Sequence, residues 1–229
     1  MEQSLSRRAL IGAGLAFPLL ALTGCANTLG GLGGFGIEDA IRRLLTLSSQ
    51  RAFNRLLTDE GFFRDDIARI PLPEQFGGNR VTGALAVLLG SGLVQDRLLR
   101  LVNRAAADAA EAAAPIVYDS IRSMSITDAV SIVRGGPEAA TDYLRRSMGN
   151  AIVDAMFPGV GTALRVLDDG LVNRAITVAT GIDFGGLQRH VTERAADGIY
   201  RAIGREEAVI RADPRATNDP VLIGAFGVL

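Results

Sequence analysis

From Ile37 onward the apolar residues recur at intervals of three and four, and most such runs end at Gly or Pro. Ile37, Ile41, Leu44, Leu45, Ala52 and Leu56 form one stripe, with Arg42, Arg43, Arg51 and Arg55 on the other side, which predicts a helix over residues 37–57. Thr58 to Gly61 stops it. Phe62, Phe63 and Ile67 then lead into Ile70-Pro71-Leu72-Pro73, whose prolines forbid helix and predict an extended connection. Gly77-Gly78 breaks the chain again, and a short apolar helix is expected over residues 82–89.

The longest periodic run covers residues 93–122. At about 100° per residue, Val94, Leu98, Leu99, Val102, Ile116, Val117 and Ile121 share one half of the helix. Arg97, Arg100, Arg104, Asp108, Glu111, Tyr118 and Arg122 fall on a narrow stripe opposite. Ala105, Ala109, Ala112 and Ala113 on the apolar side would admit a close partner, and Pro115 should kink the helix. Asn103 lies inside the apolar half, so its amide needs buried partners.

Beyond it, Ser125 or Thr127 should cap a short helix through Asp128, Val130 and Val133. Gly135-Gly136 should end that helix by allowing positive φ, and Pro137 should open the next, which carries Ala140, Leu144 and Met148 on one face. Further helices are expected over 150–157, stopped by Pro158-Gly159, over 162–180, and over 187–202, ended by Gly204. Residues 206–211 and 221–226 read as two more helical pieces. No segment alternates as a strand would. The expected fold is all-α, a single multi-helix bundle.

Composition narrows the chemistry. The 229 residues are 48% hydrophobic and 21% charged, with a formal net charge of −1, which gives no case for nucleic acid. Every basic residue is Arg, so lysine nucleophiles are excluded; one Cys and one His leave no disulfide within the chain and argue against a metal site. His190 shares a helix face with Arg189, Glu193, Arg194 and Asp197, as expected of a solvated polar face. The acidic pairs Asp65-Asp66, Asp168-Asp169 and Glu206-Glu207 could serve as acid and base. Neighbours on a helix diverge by about 100°, however, so caps and Arg partners explain them better. No catalytic residue, cofactor or metal is expected.

Residues 1–24 read as an address rather than fold. Arg7-Arg8 precedes a mostly apolar run, Ala9 to Leu22, too short and Gly-rich to span a bilayer comfortably. Leu22-Thr23-Gly24-Cys25 resembles the bacterial lipobox, which implies acylation at Cys25, the only Cys in the chain. Ser6 to Leu10 resembles a twin-arginine signal, but in a chain without Lys the general export route stays equally open. Ala26 after the Cys implies, by the same resemblance, outer-membrane sorting. Residues 25–36 would then be a lipidated, Gly-rich tether of about 18 Å reach, and 37–229 the helical domain. The tether lacks the strand and Lys of a phosphate loop.

Six stretches carry a wider resemblance: Ile70 to Pro73, Asn103 to Ala106, Met124 to Ala129, Gly135-Gly136, Ala139 to Tyr143, and Glu207 to Pro214. In order and spacing they resemble the bacterial family catalogued as domain of unknown function 4197. The resemblance implies an exported helical protein, in many members a lipoprotein, and no activity. It marks Asn103, Asp128, Gly135, Gly136 and Tyr143 as structural motif residues. In the family a Glu usually follows Asn-Arg-Ala-Ala; here that position is Ala107. LVNRAA at Leu101 and LVNRAI at Leu171 echo each other, but their Asn residues fall on different faces, so the echo reads as coincidence.

Two functions follow as expectations. The first is a non-catalytic, membrane-anchored binder of a lipid or other apolar ligand, held between small-residue helix faces. The second is a structural or partner-binding envelope lipoprotein that works through Arg97, Arg100, Arg104, Asp108 and Glu111.

Overall fold

The computed structural model describes residues 36–74 and 91–227, all within one compact unit, Leu32–Leu229. The export signal, Cys25, the tether and the helix expected over 82–89 lie outside the described residues. Those described form helices and connections without a strand.

Helix α1 (Ile37–Leu56) starts with Glu38 and Asp39 in its first turn, where carboxylates favour the helix dipole. It buries Ile41, Leu44, Leu45 and Leu56 completely, each contributing about 1.5–3 kcal/mol of apolar burial. Glu60, in the left-handed region at φ 55°, then turns the chain into α2 (Gly61–Arg64). Gly61 is obligatory there: a Cβ would lie 2.4 Å from the Leu56 carbonyl oxygen.

Helix α3 (Gly92–Ser123) is the central element, capped by the Ser91 side chain, and it runs unbroken through Pro115. Ala105, Ala109 and Ala113 are buried as expected, whereas Ala112 is exposed. Tyr118 is also a correction: instead of standing in solvent with the polar stripe, it is half-buried, its ring 6.1 Å from that of Phe53. The small face is filled by α6 (Ala151–Ala163), the neighbour α3 packs on most extensively. A Cβ at Gly159 would come within 3.2 Å of the Ala109 Cβ, so that contact depends on a residue without a side chain meeting one with a single methyl group.

Helices α4 (Ala129–Arg134) and α5 (Ala139–Met148) follow. Neither Ser125 nor Thr127 caps α4; the Asp128 carboxylate accepts from the Ser131 amide at 3.4 Å. Pro137 stands outside α5, which is preceded by Glu138. Gly135 is extended (φ −71°, ψ −176°) and Gly136 has no positive φ, so the expected conformational need is absent at both. Gly149, at φ 53° just after α5, and Gly181, at φ 72°, are the described glycines with positive φ.

Two expected helix ends are overridden, and one expected helix is divided. Pro158 sits inside α6 rather than stopping it, with Met156 and Val160 fully buried on either side. The single helix expected over 162–180 is instead a 3₁₀ turn, Arg165–Leu167, followed by α7 (Gly170–Thr180). Gly204 lies within α8 (Phe184–Ala212), which continues through the stretch expected to be a separate helix. A Cβ there would lie 2.7 Å from a Glu138 carboxylate oxygen, and one at Gly198 would lie 3.0 Å from the Ala68 carbonyl oxygen. These glycines admit neighbours rather than end the helix. A second 3₁₀ turn, Pro214–Thr217, leads to α9 (Pro220–Phe226), which packs on α1.

Candidate functional site

Charged residues sort into those that build the fold and those left over. Glu207 is completely buried. Its carboxylate accepts from the Ala140 amide (2.9 Å), the Thr141 amide (2.7 Å) and the Thr141 hydroxyl (2.6 Å), so a side chain of α8 caps the N-terminus of α5. One turn on, Arg211 donates to Glu207 at 2.8 Å and to the carbonyls of Ile132 and Val133, both at 3.0 Å, at the C-terminus of α4. The pair therefore satisfies orphan groups of two helices across the Gly135-Gly136 junction.

Asp65 works similarly. Burial opposes its ionisation, but Arg205 and the amides of Ala68 and Ile67 outweigh that and hold its carboxyl below the usual range. Glu206 pairs with Arg55, and Asp219 caps α9 while meeting Arg43 at 3.2 Å. Tyr143 donates to the Ser125 carbonyl, and Arg42 to that of Met124 at 2.8 Å, so α5 and α1 hold the connection before α4. Asp66, Asp168 and Asp169 are exposed.

Asn103 is 1% exposed. Its Oδ1 accepts from the Ile70 amide at 2.9 Å, while Nδ2 donates to the carbonyls of Ile70 (2.9 Å) and Leu99 (2.8 Å). The extended residues before Pro71 have no strand beside them, and Asn103 takes that role for both polar groups of Ile70. Asn173, its counterpart in the echoed LVNRAI, is half-buried, donates to the Asp168 carboxylate at 3.5 Å and accepts from the Thr177 hydroxyl at 3.4 Å.

The polar stripe of α3 opens on a cleft of about 510 Å³. Arg97, Arg100, Arg104, Asp108 and Glu111 line one wall; Thr58, Asp59, Glu60 and Phe63 line the other, with Leu57, Leu101 and Ala107 supplying apolar surface. All five stripe residues nominated from the sequence thus meet in one place. The opposing turn was missed, because nothing in Thr58 to Gly61 beyond a helix stop signals that it faces α3. Arg100 is committed: it meets Glu60, meets Asp96 at 2.9 Å, and lies 4.3 Å from the centre of the Phe63 ring. Its pKa is raised chiefly by the hydrogen bond to Asp96. At Glu60 loss of solvent opposes ionisation, yet Arg64 and Arg100 hold the carboxyl below its usual range. Among the described residues, Arg97 and Arg104 have no carboxylate partner, and Asp59, Asp108 and Glu111 no cation.

A family model described as "Protein of unknown function (DUF4197)" matches residues 32–227. The chain belongs to this family. No curated protein and no solved structure matches the chain. The stretches that carried the resemblance fall on the contacts just described: Asn103 on Ile70, Tyr143 on the connection before α4, and Glu207 with Arg211 across the α4–α5 junction. Ala107, where the resemblance implies a Glu in other members, lines the cleft.

His190 departs from its expected solvated face. It is half-buried beside Asp183 and Arg194, and its Nε2 is enclosed without a hydrogen-bond partner. Among the described residues no three His, Cys, Asp or Glu side chains gather as a metal site requires. Nor is any described helix long and apolar enough to cross a membrane.

Proposed function

We propose that this is a lipid-anchored, periplasm-facing protein of the outer membrane that binds another envelope protein through the α3 cleft and performs no catalysis. The observation that carries the reading is the cleft itself. It gathers the five stripe residues nominated for interaction, and it holds charges of both signs left unpaired while the ion pairs beside them are made. Unpaired charge along a concave surface costs little in the free protein and gains partners on docking, which favours steering and specificity.

An apolar ligand is the weaker reading. The small residues that were to part around an acyl chain are occupied in packing α3 on α6. The non-catalytic part rests on the perturbed carboxylates, Asp65, Glu60 and Asp219, each of which is explained by arginines or helix caps. Anchoring rests on the lipobox at Cys25 and sorting on Ala26.

The test is photo-crosslinking in the native host, with the reactive residue at position 104 and a control at exposed Arg201. A discrete adduct from position 104 alone is expected. Absence of any adduct, together with a lipid retained in native mass spectrometry, would return the protein to the apolar-ligand class.

A further inference from the structure

The cleft's unpaired charges are segregated along α3. Arg97 and Arg104 stand toward one end and Asp108 and Glu111 toward the other, with Leu101 between the two arginines and Ala107 between Arg104 and Asp108. Helical rise puts the two charge centres about 13 Å apart. The titratable lining comprises three arginines and the four carboxylates of Asp59, Glu60, Asp108 and Glu111. A simple anion is therefore poorly matched, whereas a ligand carrying both signs meets a complement at each end.

Spacing then selects a conformation. In an extended chain about 13 Å corresponds to about four residues, and residues an even number apart point the same way. In an α-helix the same distance takes about nine residues, which turns the two charges to opposite faces. From this we infer that the cleft takes an extended polypeptide segment of a partner protein, with an acidic residue at position i, an apolar residue at i+2 and a basic residue at i+4. The acid meets Arg97 and Arg104 beside Leu101, the apolar side chain rests on Ala107, and the base meets Asp108 and Glu111. Arg100, held by Glu60 and stacked on Phe63, forms a fixed wall between turn and helix rather than a ligand contact.

This rests on the cleft being the working surface. The test is fluorescence anisotropy of the full chain with a labelled peptide, Gly-Ser-Ser-Glu-Ser-Leu-Ser-Arg-Ser-Ser-Gly. It should bind at least tenfold more tightly than a peptide with Gln at both charged positions. The same margin is expected over one in which Glu and Arg are five residues apart. The double variant Arg97→Glu/Arg104→Glu should reverse the preference, toward a peptide with Arg at both positions. Asp108→Arg/Glu111→Arg, altered at exposed sites only, should favour Glu at both, provided each variant melts as the wild type does. Equal binding of all peptides would overturn the inference. So would loss of phosphatidylethanolamine-vesicle binding in the variants with peptide binding unchanged, since the cleft would then read a lipid headgroup. A crosslinked partner at position 104 without peptide discrimination removes the ligand frame alone, whereas no crosslinked partner removes the reading beneath it.

Discussion

At the scale of single residues, the contrast between Asn103 and its neighbour Arg104 divides structure from function. The amide of Ile70 can only be met by an oxygen, so the orientation of the Asn103 side chain is fixed, and three hydrogen bonds depend on it. Asn103→Leu keeps the size but strands Ile70, and should cost about 1–3 kcal/mol in chemical denaturation. Arg104→Ala should stay within about 0.5 kcal/mol of wild type. If the order is reversed, the rotation of α3 about its axis has been misread. Asp65 gives a pH signature. Its folded pKa lies below the ordinary value of 3.8, so its contribution is fully present above that pH and is lost as pH falls through the folded value. Asp65→Asn should lower stability at neutral pH and flatten the acid limb of the stability profile below about pH 4. An acid limb unchanged in slope would place the proton uptake elsewhere.

Among elements, the α4–α5 junction separates two adjacent glycines. A Cβ at Gly135 would lie 2.6 Å from the Ala139 Cβ and 3.0 Å from the Ser131 carbonyl oxygen, while at Gly136 it would meet nothing within 4 Å. Gly135→Ala should therefore lower stability by about 1–3 kcal/mol, and Gly136→Ala by no more than about 0.5 kcal/mol. Equal melting temperatures for the two variants would show that the junction gives way. The same region explains which boundaries the sequence could disclose. Periodicity located α1, α3 and the apolar face of α5, because their stripes are long and regular. Pro158 and Gly204 misled, since local breaking tendencies of a few kcal/mol at most were outweighed by burial on both sides of each residue. The stripe lining the cleft was legible for a related reason: solvated charges on one helix keep its period. Its opposite wall was not, because a turn has no period, and only tertiary packing sets Glu60 and Phe63 against Arg100.

For the molecule as a whole, the family match covers residues 32–227 and leaves Cys25 outside it, so the proposed anchor is expected to be separable from the helical domain. Cys25→Ser should release the protein from the membrane fraction, in unprocessed or alternatively cleaved form, without changing the denaturation of the helical domain. Retention of the variant after a high-salt wash would refute the lipid anchor. A single acyl chain binds only marginally, so the proposed anchor calls for more than one on Cys25.

The first helix is completed by the last ones: α1 packs on α8 and α9, with Arg55 on Glu206 and Arg43 on Asp219. A chain emerging from its N-terminus thus cannot close α1 until the residues beyond Glu206 have followed it. Such long sequence separation delays folding. On the general export route this would help the chain thread a narrow translocon unfolded. On the twin-arginine route it would delay departure until synthesis had finished, so for a chain exported as proposed the speed of refolding would bear on which route it can take.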